Sequence, residues 1–329
     1  MKKEMKYFLL MLITILLISC SRKVTSEEAE EKIAQHMYER YGEEFEVGYA
    51  MIDGYTKGDR DVTWYEARVT PIRYIGTPKY RDKYYKAVGT VMVKKKMFRE
   101  EFGITRDTYS NVMLKESANE FYGKKLKELF GENYLSVLEV TGSYSDKSKN
   151  FEGSVKLTKE KGDRLYISGG IYIFGRVEND EDREWYRKQI YEFIQFMKET
   201  GTFEYVSLGI IIVDDRVLTE QFENNNKLKQ ELSTNRKLLS DIDFKKKKKE
   251  LMNQITEKSS SEEIKRKLER INRTNAFNSE GGVYSWSFYN SLLYSHIYSE
   301  KYIESQKLDH REKLKYDKIE DIKFRTENY

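Results

Sequence analysis

Cysteine is almost absent from this chain of 329 residues: the single one is Cys20. One thiol makes no intrachain disulfide and no cysteine-rich metal cluster, so the chain has to be stable through its core. Proline occurs twice, at Pro71 and Pro78, both in one predicted loop. Histidine occurs three times, at His36, His296 and His310, and no two stand at ligand spacing. A zinc site needs three or four clustered nitrogen or sulfur ligands, so no metal is expected. No cofactor is expected either: Gly169-Gly170 and Gly281-Gly282 do not form a phosphate-cradling loop and read as a strand kink or bulge and a turn. No Gly-x-Ser-x-Gly elbow is present, although a Ser–His–acid set assembled from distant residues leaves no spacing to read. The acids Asp180, Asp182, Asp214 and Asp215 lack the alternation and distal Glu of a calcium loop. Charge of one sign is also missing: 59 Lys and Arg oppose 55 Asp and Glu, a net of +4, which makes a poor case for nucleic acid.

What is present begins with one apolar run. Residues 7–18, read YFLLMLITILLI, follow Lys2, Lys3 and Lys6. As a helix the run would measure about 18 Å at roughly 1.5 Å per residue, whereas crossing a bilayer takes about 20 residues. With the lysines ahead of it, it has the make-up of a secretory signal. Leu17-Ile18-Ser19-Cys20 resembles the lipobox of bacterial lipoproteins. The resemblance covers residues 1–20 alone. It implies a signal peptide over 1–19, cleavage before Cys20, a diacylglyceryl group on its thiol, and a mature chain held to a membrane of the cell envelope, outside the cytoplasm. Two acyl chains make a stable anchor where one is marginal. Residues 20–25 would be the lipidated cysteine and a spacer.

The rest of the chain reads as helices and strands. Thr25-Ser26-Glu27-Glu28 has the form of a capping box, and Ala29, Ile33, Met37 and Tyr41 recur every fourth residue. A helix is therefore predicted over 26–41, with Gly42 as its stop. Strands are predicted over 45–53, 62–70 and 84–93, the second alternating Val62, Trp64, Glu66 and Arg68 against Thr63, Tyr65, Ala67 and Val69. The order then repeats: a helix over 109–130 closed by Gly131, and strands over 134–140, 151–157 and 165–174. Short matches such as YGEEF at 41–45 against FGENY at 130–134 bring the two units into step. A third helix over 181–200, capped by Asn179 and Asp182, leads to a strand over 203–213 whose LGIIIV run calls for cover on both faces. Asp214 and Asp215 would end that strand in water. A helix followed by an antiparallel meander implies an α+β sandwich. The expected fold is thus a tandem of αβββ units, cystatin-like in outline; that likeness is one of shape and carries no function.

Charge shifts along the chain, from a net −3 over residues 20–215 to +5 over 216–329, which places a boundary near 215. The expected domains are a first αβββ unit over 26–100, a second with its closing helix and strand over 101–215, and a charged, mainly helical region over 216–329. In that last region Ser260-Ser-Glu-Glu263 is another capping box, and residues 278–282 are a break. Tyr284, Trp286 and Phe288 alternate, then Leu293 and Ile297, with Tyr294, Tyr298 and Tyr302, stand at helical spacing. Residues 308–329 read as a charged end that frays. The densest basic run is Lys245, Lys246, Lys247, Lys248 and Lys249. Beside Asp241, Asp243 and Glu250 it reads first as a solvated helix face; as a contact it would suit anionic headgroups. With Trp286, Tyr294 and Tyr298 it makes up the candidate membrane or partner contact.

Without a catalytic constellation, the expectation is a non-enzymatic envelope lipoprotein, anchored through Cys20, that binds another macromolecule, with a protein as the expected partner. An inhibitor or immunity-type protein is one subclass. Two other classes stay open. A solute-binding lipoprotein of a transporter would be favoured by alternating parallel βαβ units, and the sequence shows none. A cell-wall or glycan hydrolase would need convergent carboxylates, for which Asp180, Asp182, Asp214 and Asp215 are the candidates.

Overall fold

Helix α1 (Ser26–Tyr41) starts and stops where its sequence directs. The Thr25 hydroxyl accepts from the Glu28 amide at 3.3 Å and the Glu28 carboxylate accepts from the Thr25 amide at 3.2 Å. Gly42, at φ +70°, turns the chain out of the helix. These coordinates are a computed structural model, which describes residues 23–325 except 59, 78, 81, 83, 97–98, 143–149, 163, 258–259, 261, 264–265 and 268–290. Cys20 and Trp286 lie outside the described residues.

The strands that follow α1 are β1 (Phe45–Val47), β2 (Met51–Lys57), β3 (Arg60–Pro71), β4 (Ala87–Lys96) and β5 (Arg99–Asp107). They form one antiparallel sheet in the order β1-β3-β4-β5, with β2 pairing β3 as well. Ala29, Ile33 and Met37 of α1 are buried, as are Tyr65, Ala67, Val69, Ala87 and Val91 on the sheet. This is the period-four stripe meeting the period-two face. Gly89 lets the layers close up, since a Cβ there would stand 2.4 Å from Ile33 Cγ2. The other face of the sheet, with Trp64, Glu66, Arg68, Val88, Thr90 and Met92, is only half-buried.

The chain divides into two compact units between Val112 and Met113, a point within α2 (Tyr109–Phe130). After α2 come β6 (Tyr134–Gly142), α3 (Phe151–Lys161), β7 (Leu165–Gly175), α4 (Asp180–Glu199) and β8 (Val206–Asp214). Then follow α5 (Glu220–Asn224), α6 (Asn226–Leu238), α7 (Asp241–Met252), β9 (Ser291–Tyr298) and α8 (Glu300–Ser305). The second sheet has the order β6-β7-β8-β9, with β7 and β8 parallel and the outer pairs antiparallel. Its core gathers Leu114, Tyr122 and Leu126 of α2, Ile190, Phe193 and Met197 of α4, and alternate residues of all four strands. The fold class is α+β with antiparallel meander strands, and β8 is buried along nearly its whole length, as its apolar run requires.

Several elements differ from expectation. The predicted strand over 45–53 is two strands separated at 48–50, and β5, whose Arg99-Glu100-Glu101 start hides an alternating pattern, is a further strand. Residues 151–161 are a helix, α3, not a strand: Asn150 accepts from the Gly153 amide at 2.8 Å, Gly162 closes it at φ +70°, and Phe151, Ser154, Val155 and Thr158 are buried at helical spacing. Residues 291–298 are strand β9, not a helix, with Leu293, Ser295 and Ile297 buried on alternate positions. Residues 308–325 do not form a frayed end: Tyr316 and Ile322 belong to the core of the second unit. One parallel βαβ unit, β7-α4-β8, is present.

Candidate functional site

The most unusual surface of the first unit is β2. Gly58, at φ +61°, supplies the left-handed position of the tight link that pairs Lys57 with Arg60 and folds β2 back along β3. Both β1 and β2 take the same side of β3 in succession, and among the described strands nothing pairs the outer side of β2. Every residue of β2 is exposed. Tyr49 is 73% exposed, Met51 and Ile52 63% each and Tyr55 55%. An exposed apolar edge strand is a template for another chain, and soluble proteins usually blunt or cover one. The strand predicted over 45–53 stops short of this element, which runs on through Gly54 and Tyr55 to Lys57.

The same unit shows where its N-terminal lead is fastened. The Val24 amide donates to the Glu100 carboxylate at 3.3 Å, and the Val24 carbonyl accepts from the Tyr65 hydroxyl at 3.0 Å. Val24 is buried. Lys94, Lys95, Lys96 and Arg99, at the β4–β5 link next to Glu100, are all exposed, and so is Lys57.

In the second unit two polar groups stand out. His296 on β9 bridges two hydroxyls: its Nε2 lies 2.9 Å from Ser207 Oγ on β8 and its Nδ1 lies 2.8 Å from the Tyr294 hydroxyl. Burial, helped by Arg311 and Arg325, pushes its pKa down to about 4, so the ring is neutral near pH 7. A neutral imidazole beside a serine hydroxyl has the parts of a base and a nucleophile. However, Ser207 pairs with Ser168 on one side and Tyr298 on the other, so the sheet engages the backbone amides around it that an oxyanion would need. The two partners lie 89 residues apart, and no local pattern could have joined them.

The second group lies at the end of β8. Asp214 is buried and held by Arg216 at 2.6 to 3.1 Å, while Asp215 accepts from Arg176 at 2.8 Å. Asp182 accepts from the Glu178 amide at 2.8 Å and its own amide is capped by Asn179 at 2.9 Å. These carboxylates are therefore spent on fastening turns and helix ends. Among the described residues, no group of three His, Cys, Asp or Glu could hold a metal.

The basic run lies on α7. Lys245, Lys246 and Lys249 are exposed, and Lys247 faces Glu250 at 3.8 Å. Lys248 turns inward: its Nζ donates to the Ser291 carbonyl at 3.4 Å, and desolvation, with Arg216 adding to it against Asp214, pulls its pKa down to about 8. Tyr298 is buried in β9, and the Tyr294 hydroxyl is occupied by His296. These tyrosines pack within the sheet and do not extend the basic helix into one contact face.

His296 carries a pH dependence of stability. Unfolding restores a pKa near 6.5, so the unfolded chain binds an additional proton as pH falls from about 6.5 towards 4. The contribution is full above that window and is lost through it, by about 2 kcal/mol after allowing for partial exposure. Urea unfolding at pH 7 and pH 5 should show a steeper loss for the native chain than for His296→Gln; equal losses would discard this assignment.

No helix of the described residues is long and apolar enough to cross a membrane. No protein-family model matches the chain, and no curated protein matches it. Among solved structures, that of a DUF5037 family protein from Ruminococcus gnavus ATCC 29149 is similar at 17% identity, covering 60% of this chain and 79% of that one with a TM-score of 0.32. A likeness this slight carries neither fold nor function to the chain.

Proposed function

We propose that this chain is a non-enzymatic lipoprotein of the cell envelope, tethered outside the cytoplasm by a diacylglyceryl group on Cys20, that binds another protein along β2. The observation that carries the reading is the edge itself: a strand exposed on both faces, with no described strand on its outer side, bearing Met51, Ile52 and Tyr55 and preceded by the exposed Tyr49. A partner strand added there would gain backbone hydrogen bonds for affinity and side-chain contacts on alternate positions for specificity. An inhibitor or immunity-type protein, which shields by covering its target, would use such an edge. Hydrolysis gains no comparable support, since the candidate carboxylates Asp182, Asp214 and Asp215 are engaged in local contacts, and the single parallel unit β7-α4-β8 falls short of the alternating series that would favour transport.

The test is a photoreactive residue at Met51 in intact envelopes, with labelled palmitate followed in parallel. A discrete protein adduct is expected, lost in Ile52→Glu/Tyr55→Glu, together with lipid label lost in Cys20→Ala. Surface changes of this kind leave stability within about 0.5 kcal/mol, so folding should not confound the result. No adduct at all, or label that persists in Cys20→Ala, would overturn the respective half of the proposal.

A further inference from the structure

The lead from Cys20 is short. From Cys20 to Val24 there are four residue steps, which span at most about 14 Å when fully extended. Val24 is fastened to Glu100 and Tyr65, so that reach is measured from a fixed point on the first unit. A lipid on Cys20 therefore holds one particular end of the first sheet near the bilayer: the end where β4 passes into β5 and β2 into β3. The opposite end, where Pro71 pairs Phe45 and Ala87 begins β4, is a full strand length away.

The near end has the chemistry of a headgroup contact. Lys94, Lys95, Lys96 and Arg99 are four cations within six positions, and Lys57 ends β2 at the same end of the sheet, across β3. The side chains of Lys95, Lys96 and Arg99 remain more than half exposed despite their neighbours. Those neighbours offset part of the charge: Glu101 takes Lys96 at 2.5 Å and Arg99 at 2.7 Å, and Asp61 faces Lys95 at 3.8 Å. Lys94 shares the face opposite α1 with Met92, its stem lying over Gly103.

Resting on the lipoprotein reading above, we infer that this tether-proximal end of the first sheet is a docking surface for anionic phospholipid headgroups of the bilayer that holds Cys20. The tether keeps the surface within reach, so weak individual contacts act at high effective concentration. Each cation near an anionic leaflet contributes about a fivefold gain in partition. The consequence for the partner edge is orientation: a sheet fixed at its tether end presents β2 in one direction.

The experiment uses the full lipidated chain, first confirmed to carry lipid on Cys20, in vesicles of phosphatidylcholine alone or with phosphatidylglycerol. With Cys20 blocked by lipid, Lys95→Cys provides a single free thiol for an environment-sensitive fluorophore. Its emission should shift to the blue and lose iodide quenching on the phosphatidylglycerol vesicles, and recover in high salt. The same label at Lys86→Cys, beside the far end of β4, should stay open to iodide. Lys57→Glu/Lys94→Glu/Lys96→Glu should lower the docked-to-free ratio by about a hundredfold, with the unfolding midpoint unchanged. A lipidated chain whose position 95 stays open on both vesicles overturns the docking and leaves the tether standing. Equal protection at 95 and 86 also overturns it, as would protection only in the presence of another envelope protein. Absence of lipid on Cys20 overturns both.

Discussion

Truncation after Leu308 is expected to unfold the second unit. The sequence of residues 309–325 is charged, yet it returns to the core: Tyr316 is 1% exposed, Ile322 is equally buried, and Leu314 and Phe324 pack beside them. The segment is pinned along its length by polar contacts. Lys198 Nζ and Gln195 Nε2 donate to the Tyr316 carbonyl at 2.9 and 3.2 Å, Arg187 Nε donates to the Ile322 carbonyl at 3.2 Å, and the Tyr316 hydroxyl donates to the His296 carbonyl at 3.3 Å. Arg325 adds two backbone bonds with Tyr294, at 3.1 and 2.8 Å. Burying two full side chains and parts of two more is worth on the order of 5 kcal/mol, comparable to the whole stability of a domain. Near-UV circular dichroism and urea unfolding of the truncated chain should show this transition lost or shifted far down. Tyr316→Ala alone should cost about 3 kcal/mol by the cavity it leaves. A truncated chain with an unchanged midpoint would show that the segment is ornamental.

Asp107→Ala is expected to destabilise the first unit as much as a core truncation. The Asp107 side chain has no exposed surface, and its carboxylate gathers four donors from two elements. The Tyr41 hydroxyl donates at 2.5 Å, Arg40 at 2.6 Å and the Tyr109 amide at 3.0 Å, with His36 Nε2 also at 3.0 Å. The last turn of α1 is thereby fastened to the point where β5 gives way to α2. An adjoining contact continues the fastening: the Tyr109 hydroxyl accepts from Arg73 at 2.6 Å and donates to Glu43 at 3.1 Å, and its pKa is raised by burial. Removing the carboxylate leaves a guanidinium and a hydroxyl without their shared acceptor, a loss of about 3 kcal/mol. Asp107→Asn, which keeps one acceptor oxygen, should lose less. Equal midpoints for native and Asp107→Ala in urea would mean that the donors find water at no cost, and the fastening role would fall.

What could be read along the chain was whatever residues declare to near neighbours. Thr25 and Glu28 cap α1, Asn179 caps α4, and Gly42 and Gly131 turn the chain at φ +70° and +63°. Each signal acts over three or four residues, so it is present in the sequence itself. The apolar run of β8 likewise announced a strand covered on both faces, because no polar position along it could face water. Residues 150–162 carried a comparable cap pair, Asn150 and Gly162, but apolar alternation at Phe151, Val155 and Leu157 competed with it.

Other features had no local sign. Tyr294, Tyr298 and Tyr302 stand four apart as a helix would place them, yet β9 forms because the edge of β8 needs a partner, and the alternation of Leu293, Ser295 and Ile297 fits that pairing. Asp107 looks like any strand-end acid until α1 brings Arg40 and His36 to it from 67 and 71 residues away. Ser207 and His296 meet only through the register of β8 and β9. The candidate site divides in the same way. The sequence by itself determined the short apolar lead, the lone Cys20 and the cations beside residue 99, since these are matters of composition and order. Only the tertiary structure decided that β2 is exposed with no described strand on its outer side, and that Val24 is fixed beside those cations. Exposure and proximity depend on which strands find partners, and backbone pairing is set by contacts distant in the chain.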